Sequence, residues 1–197
     1  MQRKKWKKHI PNIITMVNLL LGMLAIFVLI RSTHPGKELV SAAMILTGAL
    51  LDALDGTIAR KLNAVTDIGK QLDSFADLVT FGVAPICLVH HLEICQHSSA
   101  IALFAWVFPL AGAYRLARYN LNDFSTYFMG LPITAAGVIL TLYSVAFLHW
   151  FPNVNASLLV TVTLLLVFAL ALMMVSRVKV RRISFSRFHK AKPAAKG

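Results

Sequence analysis

The chain has 197 residues, of which 57% are hydrophobic and only 14% charged, and its mean hydropathy is +0.69. Soluble domains carry about 25% charged residues, so this composition excludes an ordinary soluble fold, and ten glycines and seven prolines are too few for a low-complexity or disordered chain. The net charge of +12 does not coat a soluble face but collects at both ends and in short loops, which argues against nucleic-acid binding and for the positive-inside pattern of a membrane protein.

In chain order, a basic segment at 1–9 (Arg3, Lys4, Lys5, Lys7, Lys8) precedes an apolar run from Ile13 to Ile30. No A-x-A-like cleavage site follows this 18-residue run, so it reads as an uncleaved first spanning helix at 12–31. A second helix at 37–62 is apolar from Leu39 to Leu51 and then turns polar. A third at 67–92 starts polar and becomes apolar at Val79. The fourth, fifth and sixth lie at 98–119, 132–150 and 155–176, with no charge between Leu158 and Val175. No internal repeat and no strand alternation is visible. The expected fold is therefore all-α, a single six-helix membrane domain over 1–197 that ends in a basic tail at 177–197. Cys87 and Cys95 form no disulfide framework, and Cys87 sits in an apolar run as a buried thiol.

Six spans put both termini on one side. That side receives Arg60, Lys61, Lys70, Arg115 and Arg118 together with both basic ends, whereas the other has only Arg31 and Lys37. The expected orientation is both termini cytoplasmic, in the cytoplasmic membrane, with the tail also suited to anionic head groups.

The chain has eight acidic residues, and five fall in DALDGTIARKLNAVTDIGKQLDSFAD at 52–77. On helix two, Asp52, Asp55, Gly56 and Ala59 share a face about 100° wide. On helix three, Gly69, Asp73 and Asp77 step by four and form a stripe. Antiparallel packing across a turn near 63–66 makes the four carboxylates converge, with small residues beside them to allow close approach. An ionised aspartate inside a membrane helix costs about 2.5–3.5 kcal/mol, so four together need compensation. Arg60 and Lys70 can neutralise two charges; bound divalent cations do it better. All-carboxylate oxygen donors suit Mg²⁺, Mn²⁺ or Ca²⁺ over zinc, and two such ions sharing ligands clamp a phosphoryl group for in-line displacement. Asp67 fits a plainer role, as a cap near the start of helix three. The seven histidines have no ligand spacing with the aspartates.

The pattern Asp52-x-x-Asp55-Gly56-x-x-Ala59-Arg60, eight residues, Gly69-x-x-x-Asp73-x-x-x-Asp77 resembles the signature of the CDP-alcohol phosphotransferase family, matching all eight specified positions. IPNIITMVNLLLGMLAI at the start, SFADLVTFGVAP at 74–85, GAYRLARYN at 112–120 and MGLPITAAG at 129–137 resemble the bacterial-type phosphatidylserine synthases of that family. The resemblance implies a six-helix enzyme with a binuclear divalent-metal site at the cytoplasmic interface, usually a homodimer. Such an enzyme transfers a phosphatidyl group from CDP-diacylglycerol to an alcohol, here L-serine, and releases CMP. It further implies that Asp52, Asp55, Asp73 and Asp77 hold metal and that Asp77 is the base for the acceptor hydroxyl. Gly56 and Ala59 would line the cytidine site, Arg60 would meet the pyrophosphate, and Asn12 and Thr15 would border the nucleotide.

For the acceptor, Arg115 and Arg118 lie three apart on one face, and an arginine fork matches a carboxylate bidentately. Lys70 is a further candidate for anionic substrate, and Asn120 and Asp123 for the serine ammonium. Gly130-Leu131-Pro132 reads as a loop closing onto helix five. Alternatives within the family are a phosphatidylglycerophosphate synthase, using glycerol 3-phosphate, and an archaetidylserine synthase, using an ether-lipid donor. A divalent-cation transporter is an alternative of another class, but it requires acidic residues in the cores of several helices, and helices one, four, five and six have none there.

Overall fold

The computed structural model describes residues 10–62, 66–92, 98–121, 127–150, 155–176 and 179–181. Six helices are long and apolar enough to cross a membrane: α1 (Ile10–Arg31), α2 (Lys37–Leu62), α3 (Asp67–His91), α4 (Ser99–Leu121), α5 (Ile133–Trp150) and α6 (Ala156–Val175). Their bounds lie within two residues of the expected ones. The protein is an integral membrane protein.

Local chemistry sets the helix ends. Pro11 stands in the first turn of α1, where a missing N–H costs nothing. The chain leaves α1 through Pro35 and Gly36, and Gly36 has φ of +88°, a left-handed conformation that a side chain disfavours. Thr66 caps α3 by accepting a hydrogen bond from the Gly69 amide at 3.0 Å, and Asn155 caps α6 by accepting one from Ser157. The α3 cap is thus Thr66 and not Asp67, which lies in the first turn, fully exposed, 3.7 Å from Lys70.

Each helix buries one stripe and exposes apolar residues elsewhere. On α2 the buried stripe is Ser41, Ala42, Ile45, Gly48 and Asp55; on α6 it includes Leu159, Thr163, Val167, Leu170 and Met174. Leu50, Leu110, Leu165 and Leu172 are each about two-thirds exposed, a surface that fits hydrocarbon and not water. Phe81, Phe108, Ile133, Leu140 and Met174 form the fully buried centre.

Two features depart from a plain bundle. First, α3 is not uniform: α-helical over Asp67–Asp77, it widens to a π-helix over Leu78–Val83 and returns to α-helix over Ala84–His91. The π segment begins immediately after Asp77, and such segments are frequent at functional sites. Second, two three-residue strands, β1 (Tyr127–Met129) and β2 (Lys179–Arg181), pair antiparallel, with Phe128 opposite Val180. Nothing in the residue pattern announced this pairing, because it is too short for alternation to register. It ties the approach to α5 to the start of the basic tail. Gly130 follows at φ +70°, and the Leu131 amide donates to the Met173 carbonyl at 3.0 Å, seating this loop on the end of α6.

Candidate active site and metal centre

α1, α2 and the first half of α3 meet at the end of the bundle where α2 turns polar. Carboxylate oxygens of Asp52, Asp55 and Asp73 lie within 4.8 Å of one another there. Asp55 is buried and Asp52 and Asp73 half-buried. Two hydroxyls from other helices fix the pair on α2. Thr15 of α1 donates to Asp55 Oδ2 at 2.8 Å, and Thr134, in the first turn of α5, donates to Asp52 Oδ2 at 3.2 Å. Thr134 is a residue the motif reading missed. Its only sequence signal is its place in MGLPITAAG, one residue past the start of α5.

Asp77 is buried one turn further along α3 and stands outside the group of three. Its Oδ1 has no hydrogen-bond partner among the described residues. The nearest compensating charge is Arg115 of α4, which is itself buried, with an Nε that also lacks a partner. Arg118 is placed differently: its guanidinium donates to the Val175 and Ser176 carbonyls at 3.1 and 3.3 Å, at the C-terminal end of α6. The two arginines expected to act together are therefore differently engaged. Asn120 donates to the Ser74 hydroxyl at 2.9 Å, which pins α4 to α3. Asp123 lies outside the described residues, as do His9, His97, His189, Cys95 and most of the basic tail.

A cavity opens beside the three carboxylates. Asp55, Gly56, Ala59 and Arg60 of α2 line one wall, and Thr66, Gly69, Lys70 and Asp73 of α3 another. Pro11, Asn12 and Thr15 of α1 close it. Six of the eight motif residues that sequence spacing placed on facing helices, all but Asp52 and Asp77, thus share one space. At Gly56 an added Cβ would meet only Arg60 Nη1, at 3.6 Å, so the hydrogen there leaves room in the cavity. At Gly69 a Cβ would stand 2.9 Å from Asn12 Oδ1 and 3.0 Å from Thr66 Oγ1, so that glycine permits α1 and α3 to approach.

The donor set fits a hard divalent cation: oxygen only, negatively charged, and clustered from two helices. Among the described residues no lysine or arginine forms an ion pair with Asp52, Asp55 or Asp73; Lys70 pairs with Asp67 and Arg60 reaches Thr57 at 3.5 Å. The compensation expected from Arg60 and Lys70 is not made, because both side chains point along their own helices. The cluster's charge is left for a cation to neutralise.

Six spanning helices gather three carboxylates beside a cavity at one end, a membrane-embedded cluster of oxygen donors that could hold a cation. A family model for CDP-alcohol phosphatidyltransferases matches residues 8–175, and the chain belongs to that family of membrane transferases. Among its relatives, the CDP-diacylglycerol–serine O-phosphatidyltransferase of Bacillus subtilis is 41% identical over 137 residues, covering 69% of this chain and 75% of the relative. A protein of the same name from Methanocaldococcus jannaschii is 39% identical over 132 residues, covering 66% of this chain and 58% of the relative. The archaetidylserine synthase of Methanothermobacter thermautotrophicus is 33% identical over 135 residues, 67% of this chain and 56% of the relative. The matched region spans little more than half the length of these two archaeal relatives.

Proposed function

We propose that this protein transfers a phosphatidyl group from CDP-diacylglycerol to the hydroxyl of L-serine, giving phosphatidylserine and CMP. The observation that carries the reading is the cavity itself: one space lined by the motif's glycines, alanine and arginine and by Asp55 and Asp73, with Asp52 beside these two. The serine acceptor rests on the relatives' names and on the buried Arg115, whose Nε has no hydrogen-bond partner among the described residues.

In this reading Asp52, Asp55, Asp73 and Asp77 hold two divalent cations, Mg²⁺ or Mn²⁺, with Ca²⁺ a possible substitute. Bound there, the cations neutralise the pyrophosphate and stabilise the leaving CMP. Thr15 and Thr134 hold Asp55 and Asp52 in place. Gly56 and Ala59 leave room for the cytidine, Asn12 borders it, and Arg60 meets the pyrophosphate at the mouth of the cavity. Arg115 receives the serine carboxylate, with Lys70 and Arg118 adding positive potential nearby. The serine Oγ attacks the phosphorus that carries the diacylglycerol. Its P–O bond forms as the bond to CMP breaks, and the Oγ proton passes to Asp77. The same resemblance carries a homodimer, with the site facing the cytoplasm.

The test is CMP release by purified protein given Mn²⁺ or Mg²⁺, CDP-diacylglycerol and one of serine, glycerol 3-phosphate or inositol phosphate. Serine alone is expected to support turnover, chelation to stop it, and Asp77→Asn to abolish it while CDP-diacylglycerol still binds. Turnover with glycerol 3-phosphate and none with serine reassigns the acceptor, metal-independent turnover overturns the cation site, and near-normal Asp77→Asn removes the base.

A further inference from the structure

We propose that Asn18 is a positioning residue for this site: its buried amide, hydrated by water held between α1, α2 and α3, orients Asp77 toward the bound cation. The inference rests on the metal-dependent reading above and concerns a residue outside the eight-position motif.

Asn18 follows Thr15 by three residues on α1, so it lies on the same helix face one turn farther from the cavity. It is fully buried, and neither Nδ2 nor Oδ1 has a hydrogen-bond partner among the described residues. Three helices converge on it. Gly48 of α2, four residues before Asp52, approaches so closely that a Cβ there would stand 2.7 Å from Asn18 Oδ1. Thr80 of α3, three residues after Asp77, donates to the Asn18 backbone carbonyl at 3.1 Å. Gly22, one turn beyond Asn18, has Thr80 against it in the same way, with Thr80 Cα 2.8 Å from where a Cβ would be. Gly48 thus clears space for the primary amide and Gly22 for Thr80 beside it, at a depth where an apolar side chain would leave no polar atom to satisfy.

Buried polar groups nearly always find a partner, and where protein supplies none an internal water does, making two to four hydrogen bonds. The second orphan nearby is Asp77 Oδ1, also buried. Asn18 brings a donor and Asp77 an acceptor. Thr80, held against the Asn18 backbone, follows Asp77 by about one turn of α3. A water between Asn18 and Asp77 donates to Asp77 Oδ1 and accepts from Asn18 Nδ2, which leaves Oδ2 of Asp77 for the cation. Partners behind a metal-bound carboxylate change metal affinity about 10–100-fold when removed.

The measurement is Mn²⁺ affinity, by electron paramagnetic resonance titration of the purified full-length protein, alongside Tm in the same detergent. Asn18→Leu keeps the branching and heavy-atom count, with bulkier ends, and removes both orphaned atoms, so a residue that only packs predicts an unchanged Mn²⁺ Kd whatever the change in Tm. Positioning predicts a Kd about 10–100-fold weaker. It also predicts that in an Asp77→Asn background Asn18→Leu changes the Kd less than about threefold, since coupled residues are not additive. Should leucine not fold, Asn18→Ala is read in the same way. A parental Mn²⁺ Kd retained in a folded Asn18 variant overturns the proposal while leaving the metal site standing; no Mn²⁺ binding by the parent overturns both.

Discussion

Two glycines of one motif do opposite things, and the distinction is physical. Gly56 faces open cavity, whereas Gly69 faces the Asn12 and Thr66 side chains at 2.9 and 3.0 Å. Alanine favours a helix interior over glycine by up to about 1 kcal/mol. Gly56→Ala should therefore hold or raise Tm and, on the proposed function, still lose CDP-diacylglycerol binding, because its methyl would enter the cavity proposed for the nucleotide. Gly69→Ala must move the Thr66 cap and the Asn12 side chain, so it should lower Tm as well as binding. Equal Tm values for the two variants, by thermal denaturation in detergent, would contradict this division. Thr134 makes a third case: Thr134→Val keeps shape and removes the hydrogen bond to Asp52. Removing a partner that orients a metal-binding carboxylate lowers metal affinity about 10–100-fold, so Mn²⁺ affinity should fall by that factor, with Tm lowered by the lost hydrogen bond. Unaltered affinity would mean that Asp52 is held without it.

At the scale of elements, the π segment of α3 is where the bundle is tightest. Gly137 of α5 lies against Phe81, and a Cβ on it would come within 2.8 Å of the Phe81 Cα. Backbone cannot yield as a side chain can. Gly112 of α4 is crowded too, but by the far end of the Ile133 side chain, which can rotate. Gly137→Ala should thus lower Tm by several degrees more than Gly112→Ala, overpacking of a close-packed core costing about 1–3 kcal/mol. A Gly112→Ala protein that is the less stable of the two would show that side-chain yielding is not the deciding factor. The same region marks the limit of what residue order reveals. Six spans were legible because hydrocarbon demands about 20 apolar residues each time. The convergence of Asp52, Asp55 and Asp73 was legible because helical pitch alone puts them on facing stripes. The π segment was not, since LVTFGV has the composition of any apolar turn and its hydrogen-bond register is set by what α1 and α5 press against it. Nor was the contrast between Arg115 and Arg118. Three residues apart they share a face, but only the packed position of α6 brings carbonyls to Arg118 and leaves the Arg115 Nε without a partner.

For the whole molecule the open matter is which way the bundle sits. Among the described residues Arg60, Lys61, Lys70, Arg115, Arg118, Lys179 and Arg181 lie toward the end with the carboxylate cavity and only Arg31 and Lys37 at the other, and the remaining 11 of the 20 basic residues precede α1 or follow α6 in the sequence. Charge near span ends governs insertion through its lysine and arginine count, so the site should open to the cytoplasm, where nucleotide-activated lipid and free serine are met from the aqueous side. Two exposed positions at opposite ends of the bundle report this directly: Thr33, beyond the end of α1, and Asp67, in the first turn of α3. In a background with Cys87→Ala and Cys95→Ala, Thr33→Cys should react with a membrane-impermeant maleimide on intact cells. Asp67→Cys should react only after the cells are broken. The reverse labelling pattern would place the cavity outside. The charge asymmetry would then have to serve head-group binding by the basic ends, to which anionic lipid contributes about 1 kcal/mol per basic residue near the surface.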